Sequence, residues 1–252
     1  MILGVVLKRR KREKMNFLEK IKFFFEKNII YETLGFGNVE IHLAKIKDKK
    51  NILPFIRKAV KELDFETDII AADKKICGII CGSGENLTDK LCFEREKDKK
   101  SFFLNLGAEL YLYFAERLNL KPQRLRVLIE DKQLDAADKR FFERFCFNFS
   151  ACGIKAVSQA AEKLSEEMFK ERGVYIETSE NMPDEGYNAV ISADGLYVKM
   201  SDFVAVNRFD FGFDEICEEC GIDMFYLCVL LKKCGMLPKF KKIMGRTAFF
   251  EY

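Results

Sequence analysis

The sequence lacks tryptophan, contains one histidine and has only four prolines among its 252 residues. So few prolines leave little material for long flexible linkers. The single histidine, His42, excludes histidine-rich metal sites within one chain. Ser-His-Asp and Cys-His mechanisms would both have to use His42, and no nucleophile motif accompanies it. The sequence therefore supports no histidine-based catalysis.

A long hydrophobic run is also absent, because no stretch of 18 apolar residues occurs, and we predict no membrane span. The first seven residues are mostly apolar and precede a basic cluster, which is the reverse of the order in a signal peptide. We therefore expect a cytoplasmic protein. Disulfides are rare in that compartment, so the nine cysteines are expected to be reduced.

The net charge of +3 is unevenly distributed. Residues 8–14, KRRKREK, hold six of the 43 basic and one of the 40 acidic residues, which leaves 37 basic and 39 acidic residues elsewhere. A near-neutral body is not typical of a dedicated nucleic-acid-binding protein. We predict that residues 1–15 form a disordered basic tail. The alternatives are translation from Met15, or contact of the tail with a membrane surface or nucleic acid.

Hydrophobic periodicity predicts an α/β fold in two parts. Residues 16–121 show both helical and strand patterns, which indicates a mixed α+β region ending at Lys121-Pro122. In residues 122–252, short continuous apolar strands alternate with helices, which is typical of a parallel sheet covered on both faces. We expect this second part to be a three-layer, Rossmann-like half with a mainly parallel sheet and a buried helical C-terminal segment.

Three local patterns give further expectations. Residues 67–82 have the pattern of two strands joined by a polar turn. Apolar residues from Ala137 to Cys152 follow a helical period, and Gly153 would end that helix. Residues 196–211 have the pattern of a β-hairpin with Ser201-Asp202 at its turn.

The segment CGIICGSGENLT contains three glycines, Gly78, Gly82 and Gly84. They follow a predicted strand, as glycines do in phosphate-binding loops. The phosphate-loop motif also needs a lysine followed by serine or threonine, and both are missing here. A turn that requires positive φ is the simpler interpretation of these glycines.

The segment 214–237, DEICEECGIDMFYLCVLLKKCGML, contains four cysteines: Cys217, Cys220, Cys228 and Cys234. Only one short C-x₂-C knuckle is present, whereas structural zinc sites usually have two. With the residues after it, the segment loosely resembles a winged-helix module, yet its second helix is apolar on every face, unlike a DNA-reading helix. We predict that it forms buried core and holds no metal, with metal binding and DNA reading as the alternatives.

Polar side chains follow the strands predicted in the second half. In doubly wound sheets, ligands bind outside the carboxyl ends of the strands. We therefore predict a ligand-binding site formed by Glu130, Asp131, Ser158 and Asp194. EDKQLDA replaces the glycine-rich turn of dinucleotide-binding proteins, so NAD binding is not expected. The carboxylates could bind Mg²⁺ or could cap helices.

A second candidate surface is basic. No acidic residue occurs between Met224 and Phe250, and the cations there could hold a phosphate, RNA or an acidic partner. A solvated surface is the alternative. The cations of this basic patch are Lys232, Lys233, Lys239, Lys241, Lys242 and Arg246.

The absence of a catalytic constellation beside a well-formed core pattern favours a non-catalytic ligand-sensing or protein-interaction module. We expect no cofactor and an unidentified protein or small-molecule partner. Two other functions stay open. One is a metal- or phosphate-dependent enzyme that uses Glu130, Asp131 and Asp194, with Mg²⁺ as the metal. The other is nucleic-acid binding through the basic tail and the basic patch.

Overall fold

The computed structural model describes residues 2–10, 27–36, 39–117, 119, 121, 126–149, 151–156, 159–194, 196–200, 208–235, 239–244 and 247–251. These residues form a mixed α/β structure with two units. Unit 1 consists of Met1–Arg95, Phe213–Leu237 and Tyr252, and unit 2 of Glu96–Gly212 and Pro238–Glu251. The boundary at Lys121-Pro122 stays a prediction.

The regular elements alternate along most of the chain. The strands in the described residues are β1 (Ile2–Arg10), β2 (Ile29–Phe36), β3 (Val39–Lys47), β4 (Ile69–Ala72), β5 (Leu91–Cys92), β6 (Arg126–Glu130), β7 (Ala151–Lys155), β8 (Ile176–Thr178), β9 (Ala189–Ser192), β10 (Tyr197–Met200), β11 (Arg208–Asp210), β12 (Lys239–Met244) and β13 (Thr247–Glu251). The α-helices are α1 (Leu53–Glu66), α2 (Lys74–Ser83), α3 (Glu96–Arg117), α4 (Ala136–Phe145), α5 (Gln159–Arg172), α6 (Asp214–Cys220) and α7 (Met224–Lys233).

Unit 1 contains a five-stranded sheet in the order β2-β3-β1-β4-β5. Only the β2–β3 pair is antiparallel, and the other pairs are parallel. Helix α1 packs against β1 and β3, and α6 also contacts β1. The core between α1 and the sheet includes Ala44, Ile56, Val60 and Ile70, all at most 1% exposed.

Strand β1 differs from the disordered tail predicted for residues 1–15. Ile2–Arg10 pairs with β3 on one side and β4 on the other, in the middle of the sheet. The apolar run ILGVVL has high β-propensity, and pairing on both sides satisfies its backbone hydrogen-bonding groups. Residues 11–15 lie outside the described residues.

The second of the two strands predicted in residues 67–82 is in fact helix α2. Asp73 caps this helix, because its Oδ1 accepts hydrogen bonds from the N–H groups of Lys75 (2.9 Å) and Ile76 (2.8 Å). Such a cap satisfies backbone donors that a helix start leaves free, so the chain turns into a helix directly after β4. Gly78 and Gly82 lie inside α2, and Gly84, with φ of +69°, ends it. A requirement for positive φ therefore explains Gly84, but it does not explain Gly78 or Gly82.

Helix α7 is buried, as predicted for segment 214–237, whereas Cys220 is the one buried residue of α6. Six consecutive residues of α7, Tyr226 to Leu231, are buried. Gly221, with φ of +67°, ends α6, and the Asp223 side chain caps α7. A helix apolar on all faces is stable only when it is enclosed, as α7 is here.

Unit 2 contains a five-stranded sheet in the order β10-β9-β6-β7-β8. Strands β6, β7, β8 and β9 are parallel, and β10 is antiparallel to β9. The chain runs from β6 through α4 to β7 and through α5 to β8, and then returns to the other side of β6 as β9. The prediction of a mainly parallel sheet is therefore confirmed. Helix α3 packs against α4 and β9.

Two predicted elements of the second half are wrong. The helical stripe ends at Phe145, and Gly153 lies inside strand β7, where a Cβ would come within 2.8 Å of Met182 Sδ. Glycine is therefore required at this position by close packing and not by a helix end. The predicted hairpin is absent, because β10 pairs with β9 whereas β11 pairs with β13. Residues 201–207, with the predicted turn, lie outside the described residues.

Candidate functional site

The carboxyl ends of three parallel strands meet at one edge of the unit 2 sheet. The strand register places Glu130 beside Lys155 of β7 on one side and beside Ser192 of β9 on the other. The chain leaves β6 toward β7 and β9 toward β10, in opposite directions across the sheet. Such a reversal opens a crevice between the strand ends, which is where α/β proteins bind ligands.

A cavity of about 490 Å³ occupies this edge of unit 2. Of the four residues predicted from the sequence, Glu130, Asp131 and Asp194 line it together, and Ser158 lies outside the described residues. The full lining is Glu130, Asp131, Lys132, Lys155, Ala156, Glu180, Ser192 and Asp194. We refer to it as the strand-end cavity.

Glu130 is the centre of a charged network at this cavity. Its Oε1 accepts a hydrogen bond from Lys155 Nζ at 3.1 Å, and its Oε2 accepts one from the Tyr197 hydroxyl at 2.7 Å. Lys155 Nζ also donates to Asp184 at 3.2 Å. The hydrogen bond to Glu130 raises the pKa of Tyr197, and the bonds to Glu130 and Asp184 raise the pKa of Lys155. Lys155 is therefore a fixed cation between two carboxylates.

Asp131 belongs to a buried ion cluster with Lys100 and Asp138. The two carboxylates are 3% and 0% exposed. Lys100 Nζ forms ion pairs with both, at 2.6 Å from Asp138 Oδ2, and also donates to the carbonyl of Gln133 at 2.7 Å. Because α3 packs against α4, it brings Lys100 over the loop between β6 and α4.

Burial and the neighbouring Asp131 carboxylate raise the pKa of Asp138 to about 7, against the opposing effect of Lys100. Burial lowers the pKa of Lys100, but its hydrogen bonds to Asp131 and Asp138 outweigh that effect and raise the pKa overall. Asp138 Oδ1 is buried without a hydrogen-bond partner. Two buried carboxylates and one ammonium leave one negative charge uncompensated, which is why the pKa of Asp138 is raised despite Lys100.

Lys100 and Asp138 were not predicted from the sequence. Asp138 forms a capping box with Asp135, because its Oδ2 accepts the Asp135 N–H at 2.7 Å. The spacing of an N-cap residue and an acid three positions later was a usable signal for this role. Lys100 comes from a helix that precedes β6, and no local pattern connects it with Asp131.

The acidic residues also hold the loop that follows β6. Asp131 Oδ1 accepts the N–H of Gln133 at 2.9 Å, and Asp194 Oδ2 accepts the N–H of Lys132 at 3.2 Å. The N-cap of α4 is Asp135, so neither Glu130 nor Asp131 caps that helix. Asp194 is nevertheless exposed and lines the cavity.

The structure describes part of the predicted basic patch. Lys232 and Lys233 lie in the last turn of α7 in unit 1. Lys239, Lys241 and Lys242 lie on β12 in unit 2, and their side chains are outside the described part of the chain. Arg246 also lies outside it.

The cysteines of segment 214–237 are all free thiols. Cys220 and Cys228 are buried. Burial raises the pKa of Cys217 to about 12 and also raises the pKa of Cys228. A thiol whose pKa is raised by burial is a poor metal ligand, because the metal binds the thiolate. Among the residues that the structure describes, no group of three or more histidine, cysteine or acidic side chains is placed to hold a metal ion.

In the same described ranges, no helix has the length and apolar character needed to cross a bilayer. No protein-family model matches the chain, and no curated protein shows significant similarity to it. The function is therefore argued from the site itself, because fold alone does not define activity.

Proposed function

We propose that the protein is a ligand-sensing module whose unit 2 binds a small polar molecule in the strand-end cavity. The observation that carries the proposal is the position of this cavity, between the carboxyl ends of β6 and β9. Along the chain, β6, β7, β8 and β9 are the first to fourth strands of the sheet, and their spatial order is 3-2-1-4. We infer from this order that unit 2 is a Rossmann-like half.

The lining favours a ligand that carries a positive charge or several hydroxyl groups. Four acidic residues and two lysines line the cavity. Lys155 is already paired with Glu130 and Asp184, whereas Asp194 and Glu180 are exposed. A pyrophosphate would need the close backbone approach that glycines permit, and the loop after β6 has none. Amino acids, polyamines, nucleosides and sugars are the classes that fit.

The first test is native mass spectrometry of the freshly purified full chain beside a denatured control. We expect an added mass that disappears on denaturation. A panel of the four ligand classes then follows by thermal shift, since a ligand at 100 times its Kd stabilises a protein by about 2.7 kcal/mol. A panel in which no compound raises the Tm would contradict the proposal.

Any compound that stabilises the chain is then tested on a double variant, Glu180→Gln with Asp194→Asn. Both side chains are exposed, so their replacement leaves the fold intact. The control is Glu166→Gln with Glu171→Gln on α5, which are equally exposed but distant from the lining. The proposal requires the shift to be lost in the first variant and kept in the second.

The second candidate is an enzyme that uses the same cavity. It is favoured by the carboxylates of Glu130, Asp131 and Asp194, which line the cavity together and are side chains that can act as general acids or bases. Mg²⁺ commonly binds through one or two carboxylates together with substrate phosphates, a role open to Asp131 and Asp194. Magnesium-dependent thermal stabilisation that disappears in Asp131→Asn and Asp194→Asn would favour this candidate. No magnesium effect on the unmodified chain would count against it.

A further inference from the structure

A second cavity, of about 480 Å³, lies in unit 1 between the end of α1 and the outer strands of the sheet. The β2–β3 register places Tyr31 opposite Ala44 and Thr33 opposite His42, so these four residues share one face of the sheet. Ala44 packs in the core beneath α1, which identifies this face as the one that the helix covers. Tyr31, Thr33 and His42 extend the face beyond the covered part and line the cavity.

The last two turns of α1 supply the wall of this cavity. Glu62 and Glu66 are four positions apart, so they point from the same side of the helix, with Phe65 beside them. His42 Nδ1 is 3.1 Å from Glu66 Oε2, and its Nε2 is 3.6 Å from Glu40 Oε2. Burial, followed by a hydrogen bond to Glu62, raises the pKa of Tyr31, so that side chain stays an uncharged phenol.

The cavity combines negative charge with exposed aromatic rings. Tyr31 is 44% exposed and Phe65 is 82% exposed, and they are two of the four exposed large hydrophobic residues in the described chain. The two rings and the three glutamates of the lining together suit a partner that carries a cation on an apolar or planar group. Two lysines contact glutamates of this lining, because Lys45 Nζ is 2.5 Å from Glu32 Oε2 and Lys58 Nζ is 3.8 Å from Glu62 Oε1. Glu32 is already paired closely, so Glu62 and Glu66 are the more suitable acceptors for a further cation.

We propose that this acidic-aromatic cavity binds an arginine side chain from a basic segment of a partner protein. A guanidinium group is planar, so it can stack on the Tyr31 and Phe65 rings while it donates paired hydrogen bonds to a carboxylate. Glu62 and Glu66 supply those acceptors, and Glu40 adds to the negative potential. Lysine makes weaker use of such a site because its ammonium group is a compact, strongly hydrated point charge. This binding site is separate in sequence and chemistry from the strand-end cavity of unit 2.

The test is a titration of the full chain with a fluorescent peptide of alternating arginine and glycine, followed by anisotropy. Two comparison peptides have lysine or glutamate in place of every arginine. We expect saturable binding of the arginine peptide that weakens at higher salt. The lysine peptide should bind several-fold more weakly, and the glutamate peptide should not bind. The double variant Glu62→Gln with Glu66→Gln should bind about tenfold more weakly, since it removes charge-assisted hydrogen bonds. Phe65→Ala should also weaken binding, and its side chain is too exposed to affect folding.

The matched control is Glu166→Gln with Glu171→Gln on α5 of unit 2, which should bind the peptide as the unmodified chain does. Absence of saturable binding, equal affinity for the lysine peptide, or the same affinity in the cavity variant and the control would overturn the proposal. The strand-end variant Glu180→Gln with Asp194→Asn is included as well. It should keep peptide binding, so failure of one proposed site is distinguishable from failure of the other.

Discussion

Replacement of Lys100 by methionine tests the buried ion cluster most directly. Methionine retains much of the apolar length of lysine but removes the ammonium group that bridges Asp131 and Asp138. Loss of one partner from a buried ion pair costs about 3–5 kcal/mol, because the remaining charge is left uncompensated. The hydrogen bond to the Gln133 carbonyl is lost as well, at about 1 kcal/mol. With both losses, we expect the free energy of unfolding to fall by about 4–6 kcal/mol at pH 8.

The expected effect of this substitution depends on pH. The pKa of Asp138 is about 7 in the folded chain, above its unfolded value, so the contribution of Asp138 favours folding at acid pH and is lost as the pH rises through about 7. Without Lys100, the pKa of Asp138 should rise further, because the ammonium group that opposes the rise is gone. Protonation then relieves the repulsion at pH 5, and we expect roughly half the destabilisation seen at pH 8.

The measurement is urea denaturation at pH 5 and pH 8, followed by far-ultraviolet circular dichroism because the chain has no tryptophan. Lys139→Met is the control, since its ion pair with Glu167 is about one-third exposed on both sides and water screens such a pair, so its loss should change the stability little. Addition of Asp138→Asn to Lys100→Met should recover part of the loss. A loss for Lys100→Met that is as small as the control and independent of pH would refute the argument.

Three further predictions concern glycines and the first strand. Gly78→Ala should raise the free energy of unfolding by about 0.5–1 kcal/mol, because Gly78 is an exposed helical residue with nothing within 4 Å of a new Cβ. A lower free energy of unfolding, measured by urea denaturation, would contradict its place in α2. Gly153→Ala should lower it by about 1–3 kcal/mol through overpacking against Met182, and an unchanged midpoint would contradict that packing. Deletion of residues 1–14 should make unit 1 sensitive to limited proteolysis, because it removes β1 from between β3 and β4; unchanged resistance would contradict that pairing.

Much of the unit 2 sheet could be predicted from the sequence because its strands are short apolar runs between polar turns. LRVLIED, VYIET and NAVISA contain β6, β8 and β9, and the helix around Leu164 and Met168 is α5. Helix α2 was missed because its isoleucines have strand-like propensity, whereas the Asp73 cap and tertiary packing decide the structure. Strand β1 was not predicted because its apolar run, ILGVVL, directly precedes the basic cluster of residues 8–14, and such a cluster is typical of a disordered tail.

The candidate site was predictable only where it depends on strand ends. Glu130, Asp131 and Asp194 follow neighbouring parallel strands, and their convergence is a consequence of sheet geometry. The Lys100 bridge depends on how α3 packs. Lys100 is 31 positions from Asp131 and 38 positions from Asp138 in the sequence, so no local pattern connects them. The acidic-aromatic cavity likewise depends on tertiary structure. It combines residues of β2 and β3, which their register places side by side, with residues of α1.

The chain order of the two units has a consequence for biosynthesis. Unit 1 begins with Met1–Arg95 but lacks α6 and α7 until Phe213–Leu237 has been made, and unit 2 acquires β12 and β13 only from Pro238–Glu251. At typical translation rates the intervening segment takes on the order of ten seconds to synthesise. During that interval the nascent sheet of unit 1 has no α6 or α7 to pack on it, so chaperone demand should peak while unit 2 is on the ribosome. A circular permutant that begins at Phe213 would supply both helices first and shorten that exposed interval.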